Sequence, residues 1–161
     1  MLDNQLASEI SGPQELLFNQ NNNRQLFKTT ALRLSPGTDI RRFLEGFAKQ
    51  QEIKAGVILG AVGSLSVSCL RFAGKDVHTE LVGKHEVLSL SGMLSDEGVH
   101  LHMSVANSDG ECKGGHVVYG CIVYTTLEIA IALLPNTKFQ RSFDESTGFN
   151  ELDIIEEKQR S

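Results

Sequence analysis

From Val99 to Val105 the chain alternates without a break. Val99, Leu101, Met103 and Val105 are apolar, while His100, His102 and Ser104 between them are polar. Side chains two apart in a strand share a face, so this predicts a half-buried strand carrying two histidines on its polar side. "DVHTELV", "HEVLSLSGMLS", "HVVYGCIVY" and "LEIAIALL" show β-branched or alternating patterns and predict further strands. "AGVILGAVGSLSVSCLRF" predicts two strands joined around Gly63, and "LFKTTALRLSPG" a strand closed by the Pro36-Gly37 turn. One segment has a different period. In "TDIRRFLEGFAKQQE", Ile40, Phe43, Leu44, Phe47 and Ala48 fall on one helical face, with Thr38 as N-cap and Asp39 in the first turn. Gly46 weakens that helix by roughly 1 kcal/mol relative to alanine, which suggests that another element passes close to it.

These elements predict an α+β fold: a mostly antiparallel, barrel-like sheet with one main helix packed on it. The chain of 161 residues suits one domain, with no internal repeat. Residues 1–25 form a polar, Asn/Gln-rich arm, residues 26–140 the domain, and residues 141–161 an acidic tail that breaks the strand pattern. Ile154 and Ile155 are the tail residues able to dock.

Charge and cysteine content narrow the function classes. The net charge is -5 and no basic run stands out, so direct binding to a nucleic-acid backbone is not expected. Cys69, Cys112 and Cys121 are an odd count without a CxxC pair, which argues for a reducing compartment rather than a disulfide scaffold. The first residues lack the basic start and apolar stretch of a signal peptide, and no segment is apolar enough to span a bilayer. The expectation is a soluble, cytoplasmic protein with no membrane partner.

The candidate chemistry lies in "VHLHMSVANSDGECKGGHVVYG", which holds three of the five histidines. Asp109-Gly110 is a strong turn signal, and Gly114-Gly115 permits close backbone approach just before His116. The returning strand can bring His116 alongside His100 and His102. Two readings remain open: the wet face of a hairpin, or a three-histidine zinc site with an open fourth position. Cys112 is a rival ligand in the turn region, with His116 preferred. Glu86 is either a solvated carboxylate or a general base and outer-shell partner near the metal. His78 and His85 have no comparable neighbours. Nucleophile elbow, P-loop, dinucleotide fingerprint and metalloprotease helix are all absent from the sequence.

Taken in order, "LRLSPGTDI", "GVILGAVGSLSVSCLRF", "HEVLSLSGMLS", "VHLHMSVANSDGECKGGHVVYG" and "YTTLEIAIALL" resemble the PPC (plants and prokaryotes conserved) domain, whose prokaryotic members are also called PD1-like DNA-binding proteins. The resemblance covers about Leu26 to Leu134. It implies a compact α+β domain that assembles as a homotrimer, with His100, His102 and His116 as metal ligands of the prokaryotic, stand-alone type. Arg33 matches a position where the family tends to carry arginine, implying an anion-binding group in the pocket or a surface ion pair. The arm carries no Arg-Gly-Arg core of an AT-hook, so the DNA-binding label finds no support in these residues. The expected role is small-molecule binding or regulation; the alternatives are a zinc-dependent hydrolase or lyase, and a DNA-associated protein acting through partners.

Overall fold

A computed structural model describes residues 27–156. The order is β1 (Lys28–Leu34), α1 (Ile40–Gln50), β2 (Gly56–Arg71), β3 (Thr79–Ser95), β4 (Gly98–Ala106), β5 (Cys112–Val117), β6 (Ile122–Leu133), β7 (Thr137–Asp144) and β8 (Phe149–Glu156). Six strands form one antiparallel sheet in the order β1-β6-β2-β3-β4-β5. The far end of β2 also pairs with β5, through Leu70 with Val117 and Arg71 with His116. That second pairing curls β2-β3-β4-β5 into a closed ring, so the α+β, mostly antiparallel reading holds and the barrel-like curvature has a definite seam.

The helix forms where its periodicity predicts, although Phe43 of the predicted apolar face is exposed. Ile40, Leu44 and Ala48 are fully buried at i, i+4, i+8 spacing, facing a core that includes Leu65, Leu101 and Ile129. The cap is shifted by one residue: Asp39, not Thr38, is the N-cap, and its carboxylate accepts from the Arg42 amide. The same carboxylate accepts from the Gly120 amide at 2.7 Å, and the Ile40 amide donates to the Cys121 carbonyl. One aspartate therefore ends the loop, starts the helix and fixes it to the chain leading from β5 into β6. No other element crowds Gly46, since a Cβ there would meet nothing within 4 Å.

Three sequence expectations are corrected. The stretch around Gly63 is one continuous strand of 16 residues, not two joined by a turn. Gly63 has φ +149, and a Cβ there would lie 2.1 Å from the Thr126 carbonyl, so glycine lets β2 bend closely over β6. "DVHTELV" and "HEVLSLSGMLS" likewise join in β3, which passes through Gly83 at φ +129. The segment from Arg141 read as an acidic tail instead belongs to a hairpin that begins before it, in which β7 pairs with β8 from Thr137 opposite Glu156 to Asp144 opposite Phe149. Phe139 is buried and its amide donates to the Lys54 carbonyl, anchoring this hairpin to the main body. Ile154 and Ile155 stay exposed instead of docking. The Asn/Gln-rich arm lies outside the described residues. Among the described residues, no helix is long and apolar enough to cross a membrane.

Candidate metal centre

β4 delivers the first two histidines as its alternation requires. Val99, Leu101, Met103 and Val105 are buried, while His100 and His102 are exposed on the other face. The turn that follows is held by Asn107, whose side-chain oxygen accepts from the Asp109 and Glu111 amides, with Gly110 at φ +77. It sets a register in which His102 stands directly across from His116. Gly115 is needed just before it, because a Cβ there would lie 2.7 Å from the Arg71 carbonyl.

The three imidazoles form a nearly equilateral triangle. Ring centroids are 5.1 Å apart for His100–His102, 5.1 Å for His100–His116 and 5.5 Å for His102–His116. One nitrogen from each ring lies within 4.8 Å of the others, and among the described residues this is the group of His, Cys, Asp and Glu side chains able to surround an ion. Three neutral nitrogen donors suit a borderline-soft divalent cation with a further position left open, as zinc prefers. A cleft of about 300 Å³ lined by Val57, Gly92, Met93, His100 and His102 opens beside the triangle.

Several charged groups beside these rings went unrecognised in the sequence. Arg41, in the first turn of α1, has Nη1 3.4 Å from His116 Nε2 and donates to the Val117 carbonyl at 2.9 Å. A guanidinium has no acceptor, so in that contact His116 offers its Nε2 lone pair. Glu45 holds Arg41 by accepting from Nε at 2.9 Å, and it also accepts from the Tyr119 hydroxyl at 2.6 Å. Arg71 is the cross-strand partner of His116 at the seam. No periodicity argument finds these residues, because the direction of a long side chain depends on what packs beside it.

Burial and the surrounding positive charge disfavour protonation of His116 and His100. For His116, burial is the largest cause, followed by His100, Arg71, Arg41 and His102, and together they push its pKa down to about 4. His100 is lowered by burial first, then by Arg141, His102 and Arg41, with Glu151 opposing. An unfolded histidine takes up a proton near pH 6.5, whereas folded His116 resists until about pH 4, so the unfolded chain binds more protons between these values. Metal-free protein is therefore expected to keep this contribution above pH 6.5 and lose it as pH falls towards 4. Thermal melts should fall across that window in the native chain and fall less in His116→Gln. Parallel profiles would contradict the assignment.

The other candidates sit elsewhere. Cys112 is exposed opposite Ala106 and outside the triangle. His78 is exposed, and His85 is buried with Nδ1 3.4 Å from the Ser68 hydroxyl, a polar contact inside the sheet. Glu86 is opposite Ala106, whereas His102 is opposite Ser91. Five residues of β3 separate the two positions, about 16 Å along the strand, so Glu86 cannot act on the histidines of its own chain. Arg33 is on β1 across from Glu128 and lines an apolar groove of about 670 Å³ with Ala31, Gly60, Ala61 and Val62. That groove is distinct from the cleft beside the histidines.

Comparison with known proteins agrees with this architecture. Over 127 residues the chain is 46% identical to the bifunctional protein GlmU of Synechococcus sp. (strain JA-2-3B'a(2-13)), a match covering 79% of this chain and 20% of that protein. The chain thus spans about one fifth of the length of that curated relative. The structure of a hypothetical protein from Salmonella enterica superposes with a TM-score of 0.79 at 40% identity, covering 83% of this chain and 97% of the other. The metal-containing protein AF0104 from Archaeoglobus fulgidus gives 0.68 at 30% identity, covering 78% and 93%. The family model of the Plants and Prokaryotes Conserved domain matches residues 21–135, most of the chain. With this match and the 40% identity to a relative that it covers almost whole, the chain belongs to the Plants and Prokaryotes Conserved (PCC, also written PPC) domain family.

Proposed function

We propose that this protein is a ligand-binding or regulatory PCC-domain protein that holds zinc through His100, His102 and His116. The convergence of three ligand nitrogens within 4.8 Å carries the reading. The similarity to a metal-containing archaeal protein supports it. Zinc held there supplies a Lewis acid for an oxygen-bearing ligand. The chain's own part is to present three convergent imidazole nitrogens, keep Arg41 in place through Glu45, and leave the cleft beside Met93 and Gly92 open.

The proposed assembly is a homotrimer in the cytoplasm. β2 leaves Leu59 and Val62 exposed, and Val62 borders the apolar groove that also contains Arg33 and Glu128. An apolar patch rimmed by opposite charges suits contact with a second copy. A zinc-dependent hydrolase or lyase finds less support, because the nominated base Glu86 is remote from the histidines within the chain. Action on DNA through partners has no supporting feature among the described residues, and the net charge of -5 disfavours direct contact.

Elemental analysis of untagged protein purified without chelator tests the metal reading. One zinc per chain is expected, lost in His100→Ala. A native preparation with no metal that also fails to take up added zinc would remove it.

A further inference from the structure

Three arginines lie around the histidine triangle on three separate elements, with Arg41 in contact with it. Arg41 comes from α1, with its guanidinium 3.4 Å from His116. Arg71 comes from β2, directly opposite His116 across the seam. Arg141 comes from β7; its backbone amide donates to Glu97, and it lines a small recess with Met93, the cross-strand partner of His100. Its charge is also felt at His100. Against these three guanidiniums stand three carboxylates: Glu45 on Arg41, Glu97 at the Arg141 backbone amide and already paired with Lys138, and Glu151 near His100. The triangle itself contributes only neutral donors. A divalent ion there would thus gain no anionic protein ligand and would add to a local excess of positive charge, in a chain whose overall charge is -5.

We infer that the site is completed by a small oxyanion, a carboxylate or phosphate, held beside the three histidines by Arg41, Arg71 and Arg141. The physical reason is charge balance: an oxyanion neutralises the metal and the guanidiniums together, and arginine forks match both anions. The inference rests on the reading of the histidines as a metal site. Glu45 leaves Arg41 committed in orientation, with Nε on the carboxylate and Nη1 on Val117. Arg141 is different. It lies on the β7–β8 hairpin, beyond the residues 21–135 that match the family model.

Calorimetric titration of zinc-loaded full-length protein with inorganic phosphate, and separately with oxalate, tests the inference, while zinc content is measured on each sample. Saturable binding is expected in at least one arm, and the stronger arm identifies the anion class. Arg141→Gln should weaken it about ten-fold with zinc content unchanged. Arg141→Lys should restore part of the loss. Zinc-loaded protein that binds neither anion at millimolar concentration overturns the inference and leaves the metal reading standing. Equal affinity in Arg141→Gln overturns the role of Arg141. If zinc fails to load, the metal reading falls by itself. Arginine-dependent anion binding by metal-free protein would then still support the oxyanion site, and its absence would overturn that as well.

Discussion

Zinc added to metal-free protein is expected to raise its melting temperature by about 10 °C when free zinc is about a thousand times its dissociation constant. Ligand that binds only the folded chain at that ratio adds about 4 kcal/mol, and a domain of this size converts each kcal/mol to a few degrees. His102→Ala should abolish the shift. His102 has His116 directly across the ladder and the His100 ring 5.1 Å away, so its loss leaves two donors without a third side. The variant should fold normally without metal, because His102 is exposed and contributes nothing to the apolar face of β4. A full zinc-dependent shift in His102→Ala would mean that the ion binds somewhere else.

Gly92→Ala is expected to cost about 3 kcal/mol, near the upper end for overpacking, and to weaken zinc binding with it. A Cβ at Gly92 would sit 2.3 Å from the His100 carbonyl oxygen and 3.1 Å from the Leu101 Cα. Both are backbone atoms of β4, so no rotamer change can relieve the contact. Either β3 and β4 separate, or His100 shifts and fully buried Leu101 shifts with it. The helix supplies a control. Gly46→Ala meets nothing within 4 Å and should stabilise by up to about 1 kcal/mol through helix propensity alone. Denaturant midpoints would separate the two. An unchanged midpoint for Gly92→Ala would show that β4 yields more easily than its packing implies.

The histidine strand was legible because one face of β4 is buried from Val99 to Val105, so period two is written into its residues. The Asn107–Gly110 turn was legible for a local reason too, since its hydrogen bonds lie within five residues. The interruptions at Gly63 and Gly83 were not. A positive-φ glycine serves a turn or a bend inside one strand equally well, and only the neighbours decide which. Here β6 and β3 continue across the bend at Gly63, so β2 does too. The β7–β8 hairpin read as a tail because most of its residues face solvent and supply no apolar alternation. Arg41, Arg71 and Arg141 were hidden for another reason: they come near the site only through pairings distant in sequence.

The sheet order also bears on the sequence in which the site is put together during folding. β3, β4 and β5 form a meander of adjacent antiparallel strands, and all three histidines lie within its last two members. Their contacts close short loops. β1 must instead find β6, with Lys28 opposite Leu133, and α1 is tied at its start to Cys121 and Val123 through residues 37–40. Long-range pairings carry a larger loop-closure cost and come later. The histidine triangle is thus expected to assemble first as a local unit, with Arg41 arriving when α1 docks against the segment leading into β6. Pulsed hydrogen exchange should protect amides of β3–β5 before those of β1, and simultaneous protection would contradict that order.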